Sequence, residues 1–172
     1  MRATSILLTM VLAITLQLML ARYTVGGKWL FDLVLVGVVY SALNWGPVAG
    51  MLAGTFGGLI QDVLSNDIVG TGGLSKTIVG FTTGALGAQF VVARPAGRML
   101  LVAGASFLHR VIILGLHALV DQHWPGMPWT AMLGETGLNS ICGLVLFQAS
   151  ERFPGFWNKS REGRRSGIRR QW

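Results

Sequence analysis

The sequence lacks most of what a water-soluble enzyme requires. Only 12% of its 172 residues are charged, against about a quarter in ordinary soluble domains. Too few polar side chains remain to coat a water-facing globule. Cysteine is all but missing. Cys142 stands alone, so it forms no intrachain disulfide, and its apolar neighbours mark it as a small buried hydrophobe. Histidine is scarce and badly spaced for a metal. His109 and His117 are eight residues apart, about 12 Å along a helix axis; His123 lies in a loop with Pro125 and Pro128. No metal site and no cofactor are predicted. The segment Gly70–Lys76 does not have phosphate-loop spacing, and neither a G-x-S-x-G elbow nor an H-E-x-x-H motif occurs. One enzymatic arrangement is conceivable, an intramembrane aspartyl dyad of Asp32 and Asp62 sharing a proton. Nothing else supports it, and the chain is read as non-enzymatic.

What is abundant is apolar: 52% hydrophobic residues and a mean hydropathy of +0.56. Lipid is therefore the expected solvent. Six apolar stretches stand out, at roughly 3–21, 30–45, 47–64, 74–93, 99–120 and 130–150, read as membrane spans of which the second and third are short. The expected fold class is an all-α membrane protein, a bundle of six transmembrane helices over residues 1–151 followed by a basic cytoplasmic tail at 152–172. The first stretch is read as a retained helix. Its apolar core is long for a signal peptide, and Met19-Leu20-Ala21 makes a poor cleavage site. Gly46-Pro47 separates the second and third stretches.

Charge placement orients the bundle. Arg2, Arg94, Arg98 and the tail residues Arg152, Lys159, Arg161, Arg164, Arg165, Arg169 and Arg170 fall on one side, against Arg22, Lys28 and Lys76 on the other. The richer side is expected to be cytoplasmic, with both termini in it. The formal charge of +7 is concentrated in the tail, where Arg161, Arg164, Arg165, Arg169 and Arg170 are expected to contact anionic lipid rather than nucleic acid. Trp29, Trp45, Trp124 and Trp129 lie near span ends, where indole rings favour the interface.

Two features point to sites. Gly46, Gly50, Gly54 and Gly58 recur every fourth residue, and Gly80 and Gly84 repeat the spacing in the next stretch; such faces allow close backbone approach. Asp32, Asp62, Arg110 and Glu135 fall within the spans, where ionisable groups face a protein interior, a cavity or a partner. The expected arrangement pairs Arg110 with Asp62 or Glu135, since an unpaired guanidinium at that depth is penalised.

The order Asp32-Leu33-Val34-Leu35-Val36, Gly46-Pro47, Gly58-Leu59-Ile60-Gln61-Asp62-Val63-Leu64-Ser65, Gly70, Leu74 and Val79-Gly80-Phe81 resembles the bacterial rod-shape-determining protein MreD family. The resemblance covers about a third of the chain. Asn66, Ile68-Val69 and Lys76 depart from the family pattern. It implies a non-enzymatic scaffold subunit of the cell-elongation machinery in the inner membrane. Its implied partners are an MreC-like bitopic protein, a penicillin-binding transpeptidase with its transglycosylase partner, and the actin-like MreB filament. The family is similar in fold to the substrate-binding subunits of energy-coupling-factor transporters. That likeness gives an alternative function, binding of a small vitamin-like solute.

Overall fold

A computed structural model describes residues 2–21, 31–65, 68–89, 95–121 and 129–152. Every element among them is helical: α1 (Arg2–Ala21), α2 (Leu33–Trp45), α3 (Pro47–Ser65), α4 (Thr71–Gln89), α5 (Pro95–Asp121) and α6 (Trp129–Arg152). Of the tail residues, Arg152 ends α6 and the others lie outside the described residues, as do Trp29 and Trp124. Two helical segments, Pro47–Ser65 and Ala96–Val120, are long and apolar enough to cross a membrane.

Local chemistry sets where the helices begin and end. Asp32 accepts a hydrogen bond from Leu35 N at 2.9 Å, so α2 starts at Leu33 rather than at Leu30. Gly46 closes α2 with φ +99° and its N–H on Ala42 O, and Pro47 opens α3, where its missing donor costs nothing. Gly46 was expected to pack against a helix with the rest of its stripe. Its Cβ position is instead open, and the residue serves the turn through its positive φ. Pro95 opens α5 in the same way, four residues before the expected start at 99.

Helix α2 is the centre. It packs against each of the other five helices, and Val34 through Ala42 are all buried. One apolar cluster joins Leu35, Val36, Val39 and Tyr40 to Val79 of α4, Val102 of α5 and Phe147 of α6; a second joins Val34 and Val38 to Met10 of α1 and Ala53 of α3. Tyr40 packs at 5.3 Å from the Phe147 ring, over which the Arg98 guanidinium sits at 5.2 Å.

The α3–α4 interface is the most extensive in the bundle, and glycine explains it. A Cβ on Gly50 would come within 2.5 Å of Gly80 O, and one on Gly58 within 2.6 Å of Gly73 Cα. A Cβ on Gly54 would strike Lys76 O, and one on Gly84 would strike Pro47 Cα. The two backbones touch along most of their length, and the Thr55 and Thr77 hydroxyls meet at 2.8 Å between them.

Large apolar side chains point outward from every helix except α2: Leu7 is 67% exposed, Phe56 63%, Leu100 76% and Leu133 69%, with Phe81 also exposed on α4. The interior meanwhile holds Gln17, Asp32, Asp62, Ser75, Lys76, His109 and Asn139. This distribution is the reverse of that in a water-soluble domain.

The packing predicts a contrast between glycines. Gly54→Ala is expected to lower stability in detergent by about 1–3 kcal/mol, because neither backbone can yield. Gly115→Ala, with nothing within 4 Å of its Cβ position, is expected to be close to neutral. Chemical-unfolding midpoints of the two variants check this; equal shifts would contradict it.

Candidate functional site

A helix that begins inside a protein leaves its first N–H groups without water. Around the start of α2 that need is met by side chains from α1 and α6 and by Asp32 itself. Asp32 N donates to Asn139 Oδ1 of α6 at 2.8 Å, and Val34 N donates to Gln17 Oε1 of α1 at 3.1 Å. Leu35 N donates to Asp32 Oδ1 at 2.9 Å and Val36 N to Asp32 O at 3.2 Å. Asn139 Nδ2 in turn donates to Ser106 Oγ of α5 at 3.1 Å.

The second carboxylate oxygen of Asp32 carries the charge pairing. Lys76 Nζ of α4 lies 2.7 Å from Asp32 Oδ2, and both side chains are buried. His109 Nε2 of α5 lies 3.4 Å from Lys76 Nζ and 3.5 Å from Asp32 Oδ2. One assignment of protons satisfies all of these contacts. Ser75 Oγ donates its one proton to His109 O at 3.2 Å, so at 2.6 Å it accepts from His109 Nδ1–H. His109 Nε2 is then an acceptor, and Lys76 donates to both it and Asp32. One lysine thus ties α2 to α4 and α5.

Ser75, His109 and Asp32 together resemble a hydrolase triad by residue type. The geometry does not serve nucleophilic attack. Ser75 Oγ is committed to a backbone carbonyl, Lys76 stands between imidazole and carboxylate, and Ser75 is wholly buried. No group of three His, Cys, Asp or Glu side chains that could hold a metal ion is gathered among the described residues.

The remaining expected residues fall into two other places. Asp62, at the end of α3, accepts from Gly70 N at 2.8 Å and from Gly72 N and Gly73 N at 3.1 Å each. It is the anionic cap of α4, where the macrodipole favours negative charge. It moves the start of α4 to Thr71, three residues before the expected boundary. Gly72 is required there, because a Cβ would strike the Asp62 carboxylate. Arg110 pairs with Glu135, Nη2 to Oε2 at 2.8 Å, and not with Asp62. This pair sits at the α5–α6 seam and is partly exposed on the arginine side.

Asp32 and Asp62 are therefore not joined as a dyad, and neither faces outward toward a partner; each is buried and satisfied within the chain. Lys76, counted with the outer-side charges near the start of the fourth stretch, is in the second turn of α4 and 2% exposed. Removing it leaves Arg22 and Lys28 on the poorer side, which sharpens the charge asymmetry. The gathering of Lys76, His109, Ser75, Asn139, Ser106 and Gln17 around Asp32 escaped the sequence reading. Their one available signal was that Asp32 needed a cation, and Lys76 stood beside a run of small residues that lets its neighbours close in.

The cluster predicts a specific non-additivity. Lys76→Met leaves a buried carboxylate unpaired and is expected to cost about 3–5 kcal/mol. Adding Asp32→Asn removes that charge while keeping a capping oxygen for Leu35 N, so the double variant is expected to regain most of the loss. Unfolding equilibria of the two variants check it; a double variant less stable than Lys76→Met alone would contradict it.

Comparison of the chain with models of known protein families, with curated proteins and with solved structures gives no match.

Proposed function

We propose that this protein is a six-span scaffold of the bacterial inner membrane, with both termini cytoplasmic, that acts as an MreD-like subunit of the cell-elongation machinery. The observation that carries the membrane reading is the inverted burial: charge inside, bare leucine, isoleucine, valine and phenylalanine outside on every peripheral helix. At 13 residues, α2 is about 20 Å long, short of the roughly 30 Å hydrocarbon core. Its central position and side-chain-sealed N-terminus suit a helix that never meets lipid.

The scaffold reading is supported by where the charges go. Asp32 is matched by Lys76, Glu135 by Arg110, and Asp62 by three N–H groups of α4. Each acts as an internal fastener. The Asp32–Gly84 motifs that resemble MreD coincide with the parts that fold most tightly: the cap of α2, the Gly46-Pro47 turn, and the α3–α4 pair with its Asp62 cap. On this reading the protein docks an MreC-like bitopic partner and the transpeptidase–transglycosylase pair, and does no chemistry itself. A solute-binding subunit would need polar groups around a cavity at this level. Lys76 and Asn139 close around Asp32 with almost no exposure, which favours the scaffold.

Two experiments test this. Reporter fusions after Arg152 and in the segment 90–94 are expected to report the cytoplasm, and fusions in 122–128 the opposite face; any reversal contradicts the topology. In a rod-shaped host, depletion is expected to round the cells, and purification in mild detergent to retain an MreC-like protein. Retention of a vitamin-like solute without such a partner would contradict the scaffold.

A further inference from the structure

Most glycines of this bundle meet a neighbour, and a few do not. Among the described residues, the helical glycines whose Cβ position is open all lie in α5 and α6. Gly104 and Gly115 bracket Arg110 in α5, and Gly134 and Gly137 bracket Glu135 in α6. A glycine inside an exposed helix weakens it unless another backbone comes close. Gly143 of α6 does meet Val102 of α5, so the two helices close on each other at that level. The four open glycines gain nothing from packing within this chain.

The Arg110–Glu135 pair among them is matched in charge and not in hydrogen bonds. Nη2 and Oε2 lie 2.8 Å apart, yet the approach is poorly angled, and Oε2 and Nε are buried without a hydrogen-bond partner. The Nη end of the guanidinium and the other carboxylate oxygen reach the surface: the arginine side chain is 31% exposed and the glutamate 11%. The seam thus shows N–H donors beside a carboxylate acceptor, with no net charge.

Depth restricts what can meet them. Arg110 is two residues past the midpoint of the apolar span Ala96–Val120, about 3 Å. Glu135 is six residues beyond the start of α6, about 9 Å. Held at that level by Glu135, the guanidinium is out of reach of lipid phosphates, and hydrocarbon offers it no acceptor. An added carboxylate would leave net charge in lipid. A carboxamide stays neutral, accepts through its oxygen and donates through its NH2, from two atoms side by side. A second copy of this chain does not supply one there. Its exposed carboxamides among the described residues, Asn44, Gln89 and Gln148, lie within four residues of a helix end, and a two-fold contact would set two guanidinium groups at one depth.

We propose that the α5–α6 seam at Arg110 and Glu135 docks a transmembrane helix of another protein, one carrying Asn or Gln near mid-membrane. Its carboxamide bridges the ion pair, and its backbone approaches over the open glycines. This rests on the membrane-spanning reading and not on the assignment to cell elongation.

Energy transfer in phosphatidylcholine vesicles tests it, between the full chain and a leucine-rich single-span peptide with one central Asn. The Asn peptide is expected to bind about threefold to thirtyfold tighter than its all-leucine counterpart. In the double variant Arg110→Met, Glu135→Met, which keeps the seam filled and uncharged, that ratio is expected to fall to about one. Gly134→Leu, whose side chain enters open space, is expected to weaken Asn-peptide binding at least about threefold with the unfolding midpoint unchanged. Equal binding of the two peptides to the wild type, a preference retained in the double variant, or tighter binding of a peptide with central Asp would overturn the proposal. So would solid-state NMR contact between the Arg110 guanidinium and lipid phosphorus. Should the double variant not fold, the wild-type preference and Gly134→Leu decide. The reporter fusions test the spanning topology separately, so the two failures are distinguishable.

Discussion

The fold depends on sealing the N-terminus of α2 away from water. Four N–H groups at a helix start must find acceptors, and an unmatched one in an apolar interior costs a large part of a domain's stability. Here Gln17, Asp32 and Asn139 supply the acceptors, and Asp32 brings a charge that must itself be matched. Lys76 matches it. His109, Ser75 and Ser106 then satisfy the remaining donors and acceptors of that small set. The polar cluster follows from the central helix starting inside the protein, and five helices are registered against one another by it.

The close approach of α3 and α4 is the second constraint, and it serves the first. Lys76 reaches Asp32 from a helix whose backbone is in contact with α3, and whose own start is pinned by Asp62. Any side chain at Gly54 or Gly58 would push α4 outward and carry Lys76 with it. The glycine stripe and the buried ion pair are thus coupled: small residues set the distance that lets the charge pair form. A bundle held in this way has its internal charges committed and presents mainly apolar faces outward.

Much of the architecture was readable from residue order alone. Each of the six apolar stretches contains one helix, because apolar length and the Gly46-Pro47 break act locally. Boundaries shifted where side chains from elsewhere intervened, as Asp32 did for α2 and Asp62 for α4. The glycine face was legible from its spacing, although Gly46 serves the turn instead. The Arg110–Glu135 pairing was legible as one of two options. The Asp32–Lys76–His109 cluster was not, for a physical reason: its members are 33 to 77 residues apart in sequence, and only the packing of α2 among all the others brings them together.

Amide hydrogen exchange in lipid bilayers tests the sealed start of α2 most directly. If side chains close that end as described, the amides of Asp32, Val34, Leu35 and Val36 will exchange as slowly as those of Val38 and Val39 in the middle of the helix. Exchange of these four at the rate of an ordinary frayed helix end, with Val38 and Val39 still protected, would contradict the account.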